Sequence, residues 1–155
     1  MNKLLIMLLI VFVGTSLFGL SNKPVSAVKV EPSFSVPDMC NDFQPKYILA
    51  QINLQRTLNG VNKVTVTRNL DNFAQIRANQ MAFSNYSHDG FRPTLENLGL
   101  NGYYGENLST KYCNAHEVTD AWMNSPTHRK NLLNPIYKHI GFGYHDYVIV
   151  TEYSD

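Results

Sequence analysis

Residues 114–153 read NAHEVTDAWMNSPTHRKNLLNPIYKHIGFGYHDYVIVTEY, and a change of period inside this stretch decides the fold class. Asn114 stands where a helix cap belongs, with Glu117 three residues later, a capping-box arrangement. Val118, Ala121 and Trp122 then fall on one helical side. Ser125-Pro126 restarts a helix, with serine as cap and proline at the first position. That short helix carries His128 and ends before Pro135. From His139 the period changes. His139–Tyr144 and Tyr147–Tyr153 read as two strands, with His145-Asp146 as the tight turn of a hairpin. Helices followed by strands imply an α+β or layered αβα domain.

Upstream, the helical pattern continues. Pro45 opens a helix that places Ile48, Leu49 and Ile52 on one face, and Gly60 lies just past its end. Val64–Thr67 is too short to assign. A second helix is expected from about Asn69 to Phe83, because Leu70, Phe73, Ala74, Arg77, Ala78 and Met81 recur at helical spacing. Residues 84–90 are rich in turn formers, and Thr94–Leu98 reads as one helical turn. Gly102 and Gly105 flank two tyrosines and let the backbone bend there. No internal repeat is visible.

The chain has 155 residues, a length that supports one domain. Its balance of 44% apolar and 16% charged residues is that of a globular protein rather than a disordered one. The formal charge of +1 leaves no basic footprint for nucleic acid. Met1–Ala27 reads as a secretory signal peptide, with Lys3 at its start, an apolar stretch over Leu4–Leu20 and small residues at Val25-Ser26-Ala27. The rival reading is an uncleaved anchor, against which the stretch is short and broken by Gly14, Thr15, Ser16 and Gly19. Cleavage after Ala27 removes Lys3 and Lys23, leaving eleven basic against twelve acidic residues and no membrane span. Residues 28–44 form an arm with Pro32 and Pro37, and 45–155 form the domain. The two cysteines, Cys40 and Cys113, favour a disulfide in an exported chain. Two buried thiols, or Cys113 as a nucleophile, are the alternatives.

Few residues can carry chemistry. His88 lies on the turn after the second helix, Glu106 in Gly105-Glu106-Asn107-Leu108, and His128 in Ser125-Pro126-Thr127-His128-Arg129. Two histidines and a carboxylate converging on one cleft suit a divalent metal such as zinc, held by His88 and His128. They equally suit acid–base chemistry, because a carboxylate can fix a histidine tautomer. No local metal motif is present. A serine triad fails, since Ser87, His88 and Asp89 are consecutive and cannot form a relay.

These pieces, in this order, resemble the CAP superfamily of cysteine-rich secretory, antigen-five and pathogenesis-related-one proteins (the SCP domain), and especially its short bacterial secreted members. The resemblance runs from about Ile48 to Tyr153. It rests on Ile52-Asn53 with Arg56, Leu70 with Ala74–Ala78, Ser87-His88, Gly105-Glu106-Asn107-Leu108, Ala121-Trp122-Met123, Ser125-Pro126-x-His128-Arg129-x-Asn131-Leu132-Leu133 and Ile140-Gly141-Phe142-Gly143. It implies a three-layer αβα sandwich with a mainly antiparallel central sheet. It also implies a cleft of two histidines and two glutamates. His88, Glu106 and His128 match three of these. Ser125 stands where the second glutamate belongs, which weakens a metal site and any mechanism needing two carboxylates.

The resemblance does not choose a single activity. The leading expectation is a secreted, extracellular binding module for a lipid, cell-envelope or host-surface ligand. The alternatives are a His/Glu-dependent or metal-assisted hydrolase of peptide or envelope substrates, and a buried network of the two histidines and Glu106 that only holds the fold. No organic cofactor is implied.

Overall fold

The computed structural model describes residues 44–110, 112 and 114–155. The expected signal peptide, nearly all of the arm, Cys40 and Cys113 lie outside the described residues, and with them the expected disulfide.

Helix α1 spans Pro45–Leu58, with proline in its first turn and Ile48, Ile52 and Arg56 buried one turn apart. Gly60, at φ 71°, closes it in the left-handed conformation that glycine tolerates, while the Val61 amide returns to the Arg56 carbonyl. The unassigned segment after it contains β1, Thr65–Val66. Helix α2, Arg68–Ala82, buries Leu70, Phe73, Ala74, Arg77, Ala78 and Met81, the face its period implied. The single turn expected at 94–98 is a longer helix, α3, Phe91–Asn97. Strand β2 covers Tyr104–Ser109, helix α4 Ala115–Asn124, helix α5 Pro126–Leu132, and strands β3 and β4 His139–His145 and Val148–Ser154.

Two local expectations need correction. Ser125 occupies the cap position of α5, but its hydroxyl meets the Thr127 hydroxyl at 3.3 Å rather than a backbone amide. The hairpin turn falls on Asp146-Tyr147, one residue later than expected, with Asp146 at φ 53°. Asn114 does cap α4, accepting from the His116 and Glu117 amides.

The sheet order is β1-β3-β4-β2. Its two long pairings are antiparallel, and the two-residue β1–β3 pairing is parallel, so the sheet is mixed. Alternation along the strands makes three layers. Ile140, Phe142, Ile149 and Tyr153 face α1, α4 and α5, packing with Ile48, Ile52, Val118, Trp122 and Leu132. Leu108, Val148 and Val150 face α2, packing with Ala74, Ala78 and Met81.

Two glycines of β3 let α2 lie directly on the sheet. A β-carbon at Gly141 would collide with the Leu70 carbonyl and Asp71 amide, and one at Gly143 with the Ala74 carbonyl. Side chains of α2 then complete strand β3, with Asp71 accepting from the Phe142 amide at 2.9 Å and Gln75 bonding both backbone groups of Tyr144. The helix is thereby fixed in register on the sheet, which aims Arg77 at β2.

On the opposite face, Arg56 is wholly buried. Its guanidinium donates to the carbonyls of Asn62, Leu132, Asn134 and Tyr137, tying α1 to the segment after α5.

Candidate functional site

Glu106 sits in the middle of β2 with its side chain on the α2 face, only 1% exposed. A buried carboxylate needs a counter-charge. Arg77, buried on the apolar face of α2, supplies it through a two-pronged pair. Its Nε donates to Oε2 at 2.7 Å and its Nη2 to Oε1 at 3.2 Å. The same guanidinium reaches the Ser87 carbonyl at 2.9 Å and Gln80 Oε1 at 2.7 Å. Arg77 therefore anchors the turn that carries His88. Gly90 makes room for it, since a β-carbon there would strike the guanidinium.

His88 Nδ1 lies 2.8 Å from Glu106 Oε1. An ionised carboxylate only accepts, so the shared proton sits on Nδ1. The His88 side chain is 59% exposed, leaving Nε2 available to the cleft. Tyr86 flanks the pair, its phenol pushed up to about 12 by burial and by the Glu106 charge.

His128 approaches from α5. It is half-buried, and burial, with the His88 charge second, holds its imidazole below the ordinary histidine value. The two histidines thus lie within electrostatic reach of one another. An amide network fixes α5 at this place. Asn107 Nδ2 donates to the His128 carbonyl at 3.1 Å, and Asn131 Nδ2 donates to the Glu106 carbonyl at 3.0 Å. Trp122 supports β2 from behind through an indole bond to the Leu108 carbonyl. Gly105 is not a bend here. It sits inside β2, where its missing side chain leaves space for the Tyr137 hydroxyl, while Gly102, at φ 134°, makes the turn.

Of the expected residues, His88 and Glu106 are bonded, and His128, on α5 in the other helix layer, lies within electrostatic reach of His88 without a bond to either. The reading of both histidines as part of a buried fold-holding network does not survive the exposure of His88. The buried part of the network is Arg77 with Glu106. Arg77 had been legible only as a member of an apolar stripe, where a lone arginine signals a buried partner. A second buried glutamate, Glu152 of β4, stands directly across the ladder from Glu106. Its signal was a carboxylate inside the apolar run Val148-Ile149-Val150-Thr151-Glu152-Tyr153.

A metal fits this donor set poorly. The Glu106 charge is already balanced by Arg77, and His88 spends Nδ1 on Glu106. That leaves two imidazole nitrogens, fewer than the three or four protein ligands of a zinc site. Among the described residues no group of three or more His, Cys, Asp or Glu side chains can hold a metal ion.

Beside His88 opens a cavity of about 360 Å³ between α2, α3 and the turn joining them. Gln80, Ser84, Asn85, Ser87, Asp89 and Thr94 line much of it, so its wall offers amides, hydroxyls and one carboxylate.

Residues 49–148 match the sequence model of the cysteine-rich secretory protein family, CAP. The protein YkwD of Bacillus subtilis is 31% identical over 132 residues, 80% of this chain and 51% of that protein. An extracellular protein containing an SCP domain from Bacillus anthracis has a TM-score of 0.65 at 23% identity, over 70% of this chain and 39% of its own. A cysteine-rich secretory protein from Staphylococcus aureus has a TM-score of 0.65 at 19% identity, over 79% and 40%. An outer surface protein from Borrelia burgdorferi has a TM-score of 0.61 at 20% identity, over 71% and 90%. The chain spans about half the length of YkwD.

Proposed function

The chain belongs to the cysteine-rich secretory protein family, and from that footing we propose that it is an extracellular module that binds a polar polymer of the cell envelope. The carrying observation is the polar cavity beside His88. Hydroxyl and amide groups around a carboxylate suit the hydroxyls and amides of a peptidoglycan strand better than an acyl chain, which needs an apolar lining. His88, between the lining residues Ser87 and Asp89, then stands beside the cavity with Nε2 as a further donor or acceptor. Export is supported by the expected leader at Met1–Ala27 and by relatives described as extracellular or outer-surface proteins. No helix among the described residues is long and apolar enough to cross a membrane.

Co-sedimentation with purified peptidoglycan tests the reading. The protein should pellet saturably, and Asn97→Trp, an exposed cavity-wall position, should weaken pelleting at unchanged thermal stability. Equal pelleting by both proteins, or none by the wild type, would remove the cavity from the account.

One observation favours a second reading, hydrolysis of the same ligand. A buried carboxylate holding Nδ1 while Nε2 faces the cleft is the arrangement of a general base that takes a proton from water. Release of soluble fragments from peptidoglycan that stops in His88→Ala would support it, and no release by the wild type would exclude it.

A further inference from the structure

Glu152 has no part in the chemistry above, yet it is the most confined ionisable group of the site. It is fully buried, and neither oxygen meets a hydrogen-bond partner of good geometry among the described residues. Its cross-strand neighbour on β3 is Gly141, which carries no side chain. Its cross-strand neighbour on β2 is Glu106. The charged groups that act on it are the Glu106 carboxylate from β2 and the Arg77 guanidinium from α2. Tyr137 and Tyr153 also lie within electrostatic reach of it, while His88 and Tyr86 act on its neighbour Glu106.

Arg77 makes no hydrogen bond to Glu152 and commits four of its five N–H donors elsewhere. It already serves Glu106 twice, the Ser87 carbonyl and Gln80. One guanidinium cannot neutralise two buried carboxylates, and like charges this close cannot both ionise. Burial first, and the Glu106 charge second, raise Glu152 well above the ordinary carboxyl value.

We propose that Glu152 is a positioning residue of the cleft: as a neutral acid it donates its O–H to the Glu106 carboxylate, and so sets how strongly Glu106 holds the His88 imidazole. Glu106 is then served from three directions, by Arg77, Glu152 and His88. The proton on Glu152 lets the site hold two carboxyls against one arginine. The function of His88 rests on the binding reading above, but the position of this proton does not.

The test compares the wild type with Glu152→Gln, which keeps a donor and cannot ionise, and Glu152→Leu, which keeps approximate size and donates nothing. Carbon NMR of glutamate-labelled full-length protein at neutral pH should show one carboxyl carbon with a protonated-acid shift, absent in both variants. The His88 Nδ1–H resonance should stay in place in Glu152→Gln. In Glu152→Leu it should move downfield, because Glu106 loses a donor and becomes the stronger acceptor for His88. A purely structural glutamate would change thermal stability and leave that resonance alone. An ionised Glu152 in the wild type, or a Gln variant that shifts His88 as the Leu variant should, would overturn the proposal. If the Leu variant does not fold, the wild-type carboxyl signal and the Gln variant decide it. Loss of peptidoglycan binding with these signals intact would count against the binding reading alone.

Discussion

Arg77→Met should remove the cation that the cleft is built on while nearly preserving side-chain volume. Four contacts disappear: two to Glu106, one to the Ser87 carbonyl and one to Gln80. The larger part of the cost is the charge left behind. Glu106 is 1% exposed and would keep only His88 and the neutral Glu152 beside it. Stripping one partner from a buried pair costs about 3–5 kcal/mol, and the lost Ser87 bond adds about 1 kcal/mol. A loss of about 4 kcal/mol, the lower end of that sum, is a large share of the roughly 5–15 kcal/mol that stabilises a domain. At roughly 4 °C per kcal/mol it should lower the Tm by ~16 °C. Urea unfolding of the wild type, Arg77→Met and the double variant Arg77→Met, Glu106→Met measures it. The double variant should recover part of the loss, because the unpaired buried charge is gone. A single-variant loss under ~1 kcal/mol, the level of an exposed ion pair, would refute the reasoning. So would a double variant worse than the single.

Gly141→Ala should cost about 3 kcal/mol or more in chemical denaturation, the upper end for overpacking, because the new methyl meets helix backbone at Leu70 and Asp71 rather than a side chain that can swing away. Arg56→Lys should cost about 3 kcal/mol, since an ammonium cannot reach the four carbonyls that the planar guanidinium serves. The pH dependence of stability should carry two opposite slopes. Folded Glu152 keeps its proton above 4.5, where the unfolded carboxyl has lost it, so stability should fall as pH rises from there, and Glu152→Gln should flatten that slope. Folded His128 titrates below 6.5, so its contribution is complete above that pH and is lost as pH falls through the folded value. NMR titration of His128 in His88→Gln should move upward but stop short of 6.5, because burial, the larger cause, remains.

The helices were legible because each buries one face: residues 70, 73, 74, 77, 78 and 81 repeat at 3.6, and all are buried. The hairpin was legible from alternation, and its turn slipped by one residue because Asp146, not His145, takes the left-handed conformation. Residues 65–66 were too few to show a period, and their strand exists only by pairing with His139-Ile140. His88, Glu106 and His128 stood out as candidates, but the electrostatics around them were not readable locally. Arg77 and Glu106 are 29 positions apart, and Glu106 and Glu152 meet only through the β2–β4 register. Chain order carries no trace of such pairings beyond the oddity of one charge in an apolar stripe and another in an apolar strand.

The most direct measurement is a long-range nitrogen–proton correlation spectrum of His88 in the full-length protein, recorded where the imidazole is neutral. Glu106 accepts from His88 Nδ1–H and leaves Nε2 open on the exposed side of the ring. The expected spectrum shows the Nδ1–H tautomer, converting to a mixture in Glu106→Gln. A wild-type His88 protonated on Nε2 would contradict it, because the nitrogen assigned to the ligand would then be a donor and Glu106 would not be orienting the ring.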